Sequence, residues 1–213
     1  MPDGQTTAPA TTDSTDIAPP ADPIAYFRSL LAEAEGVDRT LLPEPTAMSL
    51  ATVGADGQPS MRIVLLKGVD DRGFVFYTNY ESRKGRELLA HPRTALCFHW
   101  QPLERQIRIE GRAEPVSPEE ADAYFATRAR LSQIGAWASQ QSRPLGSDAE
   151  LEARVREVEE RFARRDVPRP PYWSGFRVRP ERIEFWRNRA FRLHERLLYE
   201  RDGEGWRVRH LYP

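Results

Sequence analysis

The chain has 213 residues, enough to bury a substantial core as a single domain. Its 31 lysines and arginines balance 32 aspartates and glutamates to a formal net charge of -1, so no global basic field exists for nucleic acid and any anion site is a local cluster. Cys97 is the only cysteine, which excludes an internal disulfide framework, CxxC redox chemistry and a cysteine-rich zinc site.

Residues 1–21 contain no lysine, arginine or aromatic residue and are predicted to be a disordered tail, because they cannot bury enough surface to offset their ordering entropy. One domain is expected over 22–213. It opens with a helix capped by Asp22, with Pro23 at its first position, an apolar face of Ile24, Phe27, Leu30, Leu31 and Ala34, and Gly36 as its stop. From 47 to 115 the pattern becomes strand-like: AMSLATV, RIVLLK, FVFYTN, TALCFHW and RQIRIEGRAE, with tight-turn signals ADGQ and DDRG between them. A short helix over 82–91 interrupts this meander. Two further helices begin at S-x-x-E capping boxes, Ser117 with Glu120 and Ser147 with Glu150. The second carries Leu151, Val155, Val158 and Phe162 on one face and is expected to pack on the sheet. RIEFW, RLLYER and WRVRHLY, the last two flanking DGEG, read as final strands. The sum is a mainly β, antiparallel fold with flanking helices.

GxGxxG after a strand, GxxxxGK[ST], HExxH and GxSxG are all missing, and the four histidines are scattered. A dedicated metal site is not expected, and any phosphate must be gripped by side chains. Arg83 and Lys84, at a helix start after Ser82, are the best unaided anion candidates, with Arg62 and Lys67 bracketing IVLL as another pair. Each alone also reads as a solvated charge or ordinary salt bridge. Tyr124, Arg128 and Ser132 fall at i, i+4 and i+8, one face if the helix continues, and could grip a phosphate monoester; Arg128 could equally snorkel over packed aromatics. Trp100, Trp137, Trp186 and Tyr77 lie near polar motifs and could flank a planar ring or simply pack. FRLHER at 191–196 places Arg192, His194 and Arg196 two apart, on one face if extended.

RIVLLK at 62–67, FYTNYESRKGRELLAHPR at 76–93, LERQIRIEG at 103–111, SQIGAWASQQS at 132–142, EFW at 184–186 and RLHER at 192–196 resemble the pyridoxine (pyridoxamine) 5'-phosphate oxidase family, in the family's order from about residue 45 onward. The resemblance implies an antiparallel FMN-binding split β-barrel and a homodimer with each FMN at the subunit interface. Separately, with no stretch like a signal peptide and no apolar run of membrane-spanning length, a cytoplasmic setting without a membrane partner is expected, and the balanced charge gives no reason to expect a nucleic-acid partner. The implied reaction oxidises pyridoxine or pyridoxamine 5'-phosphate to pyridoxal 5'-phosphate, with O2 as acceptor and H2O2 as co-product. Carried over by position, FMN contacts would be Arg62, Ile63, Val64, Leu65, Leu66, Lys67, Tyr77, Thr78, Arg83, Lys84, Gln106, Gln141, Ser142, Trp186 and Arg196. Arg62, Arg83, Lys84 and Ser142 would lie on its phosphate side. Lys67, Tyr124, Arg128 and Ser132 would surround the substrate phosphate, with Arg192, Leu193 and His194 over the pyridine ring; Arg192 and His194 are the catalytic candidates.

Two departures stand out. The basic, aromatic-containing N-terminal arm that covers the active site in family members has no counterpart in residues 1–21, and RNRAF follows Trp186 where a Gln-Gly pair is usual. Two other readings remain beside the oxidase: a related flavin oxidase of phenazine biosynthesis, whose precursor has no phosphate for the Lys67, Tyr124, Arg128 and Ser132 cluster, and a non-catalytic flavin- or pyridoxal-phosphate-binding module.

Overall fold

The computed structural model describes residues 19–213; the tail expected over 1–21 thus lies mostly outside the described residues. Helix α1 (Pro23–Glu35) starts as its sequence predicts, with the Ile24 amide donating to the Asp22 carboxylate at 2.8 Å and Pro23 occupying a position whose amide needs no partner. Its apolar face buries Phe27 against Phe74 and Phe98, with ring centroids 4.9 and 5.0 Å away. Just upstream, the Tyr199 hydroxyl donates to the Pro20 carbonyl at 2.8 Å and ties the chain to the sheet.

Among the described residues nine strands form one antiparallel sheet: β1 (Ala47–Val53), β2 (Pro59–Leu65), β3 (Gly68–Asp70), β4 (Gly73–Asn79), β5 (Arg93–Trp100), β6 (Arg105–Pro115), β7 (Trp173–Arg187), β8 (Glu195–Asp202) and β9 (Gly205–His210). The order is β2-β1-β5-β6-β7-β4-β3, with β8 on β7 and β9 on β8. Because β2 and β3 are one run of chain bent at Leu66 and Lys67, both ends of this order are the same segment. The sheet therefore curls until it meets itself. At the bend the Leu66 amide donates to Thr46 on the β1 side at 2.9 Å, and the Lys67 amide donates to Val75 on β4 at 2.8 Å.

Alternation explains the curl's interior. Met48, Leu50 and Thr52 of β1 and Leu96, Phe98 and Trp100 of β5 point inward, while their neighbours face outward. β6 follows one edge of β7 from Phe176 to Arg187; β4 takes the start of the other edge and β8 its end. The β6–β7 register slips between Glu110 and Gly111, opposite Pro180. A Cβ at Gly111 would lie 2.0 Å from the Arg179 carbonyl oxygen, so only glycine permits this approach.

Helices α2 (Arg83–Ala90), α3 (Pro118–Thr127) and α5 (Asp148–Arg161) begin at the expected serine caps, Ser82, Ser117 and Ser147. Helix α4 (Arg130–Ala138) was not legible, since Ala129 supplies no side-chain cap. Three expectations need correction. First, α3 does not continue through Arg128, whose extended backbone (φ -73, ψ 144) separates α3 from α4, so Tyr124, Arg128 and Ser132 share no helical face. Secondly, α5 packs chiefly on α4: Val158 and Phe162 join Ile134, Ala138 and Trp173, and Leu151 stays exposed. Thirdly, Arg192, His194 and Arg196 do not lie on one strand face, because β8 starts at Glu195 and Ala190–Arg192 form a 3₁₀ turn with Phe191 and Arg192 at φ 57 and 63.

Candidate functional site

A cavity of about 690 Å3 opens where the β2–β3 bend, the end of β4, the start of α2 and the α3–α4 corner meet. The sequence dictates this meeting at two points. Ser82 accepts from the Gly85 amide and donates to the Asn79 carbonyl, locking α2 onto the end of β4. A Cβ at Gly85 would fall 2.5 Å from the Asn79 and Tyr80 carbonyl oxygens, so glycine allows the helix to seat there and brings Lys84 to Thr78.

Among the expected ligand contacts, Arg62, Ile63, Val64, Leu65, Lys67, Tyr77, Thr78, Lys84 and Gln141 line this cavity. Tyr124, Arg128 and Ser132 line it too, brought in by the kink between α3 and α4 and not by a helical stripe. Arg62 and Lys67, five apart, both reach it because the chain leaves β2 after Leu65. Leu66 is the exception within its segment: its side chain is buried in the core, its amide is bonded to Thr46, and it does not line the cavity. Arg83 is likewise off the cavity wall and pairs with Glu87 at 2.8 Å. Ser142 adopts a left-handed conformation (φ 70) in a neighbouring recess that shares Gln141 with the cavity.

Charge decides what this cavity can hold. Arg62, Lys67, Lys84 and Arg128 line it, and no aspartate or glutamate does among the described residues. Among the described residues the Lys84 ammonium bonds only neutral oxygens, of Gln141 at 3.2 Å and Thr78 at 3.3 Å. Burial, with Arg62 nearby, pushes its pKa down. Arg128 lies 4.7 Å from the Trp173 ring centroid, and its Nη1 is buried with no hydrogen-bond partner among the described residues. Burial lowers its pKa as well. A buried guanidinium nitrogen without an acceptor is expensive, and an anionic ligand oxygen would satisfy it. Aromatic groups complete the wall: Tyr77 stacks on Tyr124 with centroids 3.9 Å apart and planes 9° off parallel, beside Trp173 at 5.5 Å. Burial drives the Tyr77 pKa up to about 12, so its hydroxyl is a neutral donor at ordinary pH.

Glu87 was missed from the sequence. Its carboxylate is almost fully buried and accepts from Thr52 at 2.5 Å, Ser60 at 2.6 Å, Arg83 at 2.8 Å and Arg62 at 3.3 Å. Burial alone would raise its pKa; hydrogen bonds from Ser60, Thr52 and Arg83, with the Arg83 charge, hold it at about 2. The i, i+4 spacing to Arg83 was the available signal, but Arg62 is reached only through tertiary folding. Trp173 was missed too, because every position from Trp173 to Val178 is buried and the segment shows no alternation.

The other expected contacts form a second group at the far end of β6, β7 and β8. Gln106 pairs across strands with Trp186, and Trp186 with Arg196. The Trp186 and His194 rings lie 4.6 Å apart. Buried Glu184 holds Arg196 through bonds of 2.8 and 3.1 Å and also pairs with Arg108. Burial would raise the Glu184 pKa, but these arginines pull it below the usual carboxylate value. Arg192 and Leu193 are exposed on the preceding turn. None of this group lines the cavity in its own chain.

Comparison with known proteins finds matches over both parts of the chain. Residues 35–162 match the family described as pyridoxamine 5'-phosphate oxidase, and residues 173–213 match the pyridoxine 5'-phosphate oxidase C-terminal dimerisation region. A pyridoxine/pyridoxamine 5'-phosphate oxidase of Myxococcus xanthus is 60% identical over 194 residues, covering 91% of this chain and 93% of its own length. One from Gluconobacter oxydans is 57% identical, covering 91% and 95%. Among solved structures, PhzG from Burkholderia lata, in complex with tetrahydrophenazine-1-carboxylic acid, superposes with a TM-score of 0.84 at 35% identity, covering 92% of this chain and 95% of that one. A pyridoxamine 5'-phosphate oxidase-related FMN-binding protein from Nostoc punctiforme, 18% identical with a TM-score of 0.70 and covering 88% and 97%, shares the fold. The sheet that closes on its own β2–β3 segment, the acid-free cationic cavity and the matches over both parts of the chain lead to one conclusion: this protein belongs to the pyridoxine/pyridoxamine 5'-phosphate oxidase family.

Proposed function

We propose that this chain is an FMN-dependent oxidase that converts pyridoxine or pyridoxamine 5'-phosphate to pyridoxal 5'-phosphate, working as a homodimer with its sites shared between protomers. The observation that carries the reading is the cavity wall of four cations without an acid, in which Lys84 and Arg128 lack anionic partners among the described residues. A wall of this kind suits phosphate-bearing planar molecules.

Arg62 and Lys84, with the start of α2 behind them, would hold the flavin phosphate; Ile63 to Leu65, Tyr77, Thr78 and Gln141 would line the ring system. Lys67, Tyr124, Arg128 and Ser132 would hold the vitamer phosphate. Bound FMN supplies a two-electron acceptor that no side chain here provides, with dioxygen as terminal oxidant. The chain's contribution is positioning, since two anion clamps fix two rings face to face and an error of about 1 Å costs on the order of 100-fold. In a two-fold dimer the Gln106, Trp186, His194 and Arg196 group would cover the partner's cavity, which explains why it lies off the cavity of its own chain. Arg192 would then orient the substrate and assist proton removal at C4', and His194 would orient the ring.

The phosphate cluster favours a vitamer over a phenazine precursor, which offers it no phosphate. The test is to record the visible flavin spectrum of the purified protein, add pyridoxine 5'-phosphate under air, and follow aldehyde and peroxide together. Equal yields of both are expected. A bound flavin with neither product, also with pyridoxamine 5'-phosphate, would overturn the reading.

A further inference from the structure

Helix α4 carries a glycine where helices disfavour one. Gly135 lies in the interior of this nine-residue helix and has no positive φ that would require it. Relative to alanine, such a glycine costs about 1 kcal/mol of helix stability. Packing does not require it either: an ideal Cβ at 135 meets no atom within 4 Å among the described residues, unlike Gly85 and Gly111, where carbonyl oxygens block it. The open space is the cavity, which Gly135 lines together with Ser132 and Ala136.

We propose that Gly135 is a specificity-determining residue, whose bare backbone leaves room for the ring of a phosphorylated planar substrate beside α4. This rests on the vitamer reading of the cavity. Ser132 stands one turn before Gly135 on the same helix face, and Arg128, with its unpartnered Nη1, stands at the entry to that helix. A side chain at 135 would therefore project beside whatever those two groups hold. Gln141, the flavin-side candidate, lies beyond the end of α4, so the clearance belongs to the substrate. The surface that Gly135 and Ala136 offer has no side-chain polar atom, which suits a ring face and not a second charged group.

The experiment is a graded series in the holoenzyme, Gly135→Ala, Gly135→Val and Gly135→Leu, reading thermal midpoint, bound FMN, and KM and kcat for pyridoxine 5'-phosphate. The alanine variant should melt at or above the wild type while its KM rises several-fold. KM should rise tenfold or more for valine and leucine, with FMN content unchanged. An unchanged KM through leucine at full FMN content would overturn the proposal, as would loss of FMN with KM unaffected, since the space would then belong to the flavin. The vitamer reading fails separately, in the wild type, if that protein holds FMN yet neither turns over nor binds either vitamer.

Discussion

Arginines are held here by buried glutamates before any ligand arrives. Glu87 fixes Arg62 and Arg83 near the cavity, and Glu184 fixes Arg196 at the opposite group. Each carboxylate satisfies several donors, so the arginine heads need no reorganisation to meet an anion. Replacing Glu87 with glutamine should lower stability by roughly 2 kcal/mol, or about 4–8 °C in melting midpoint, because buried donors lose their charged acceptor. The effect has a pH signature. With its pKa depressed from 4.5 to about 2 in the folded protein, Glu87 contributes fully above pH 4.5 and loses that contribution as pH falls toward 2. Denaturant titrations should show wild type and Glu87→Gln converging in acid; a constant gap across that range would contradict the assignment. For Arg128→Ala, loss of a charge-assisted contact should reduce kcat/KM for pyridoxine 5'-phosphate by roughly 10- to 100-fold with flavin retained. An unaltered kcat/KM would remove Arg128 from the substrate site.

At the scale of elements, caps and turns place the chemistry. Ser82 is fully buried and both caps α2 and grips the end of β4. Ser82→Ala should therefore cost about 1–2 kcal/mol and also weaken FMN binding, because Lys84 is carried by the helix that Ser82 anchors. Equal FMN affinity in a destabilised variant would show that α2 keeps its position without the cap. The turn before β8 works differently. Phe191 is 93% exposed at φ 57, a conformation that glycine adopts without strain. Phe191→Gly should leave stability unchanged or raise it by roughly 0.5–1 kcal/mol, measured by denaturant unfolding. These elements also show what was legible. Serine caps and strand alternation announced β1, α2 and the starts of α3 and α5 to within a residue or two. The first half of β7 and helix α4 gave no such sign, one being buried at every position and the other uncapped. Pairing Arg192 with Arg196 by strand spacing failed because a left-handed turn intervenes, which local sequence does not announce without glycine.

Over the whole molecule, the curled sheet explains how a chain of net charge -1 presents a cationic cavity. The β2–β3 bend, α2 and the α3–α4 corner gather four cations from distant segments, while Glu87, which pairs with Arg62, lies off the cavity wall. Residue types and motif order pointed to those cations, whereas their common cavity follows only from the closure at Lys67 and the break at Arg128. Trp186, Arg192, Leu193, His194 and Arg196 lie at and after the far end of β7, in the segment that matches the family's dimerisation region. The central claim is that a working site needs the cavity of one protomer and the Arg192 turn of its partner. Subunit complementation tests it most directly: mix Arg128→Ala with Arg192→Ala, each strongly impaired alone, under conditions that exchange subunits. Half the dimers would then be mixed, each with one intact site, and activity should recover to about a quarter of wild type. No recovery, with both variants folded, flavin-loaded and exchanging, would contradict a site shared between protomers.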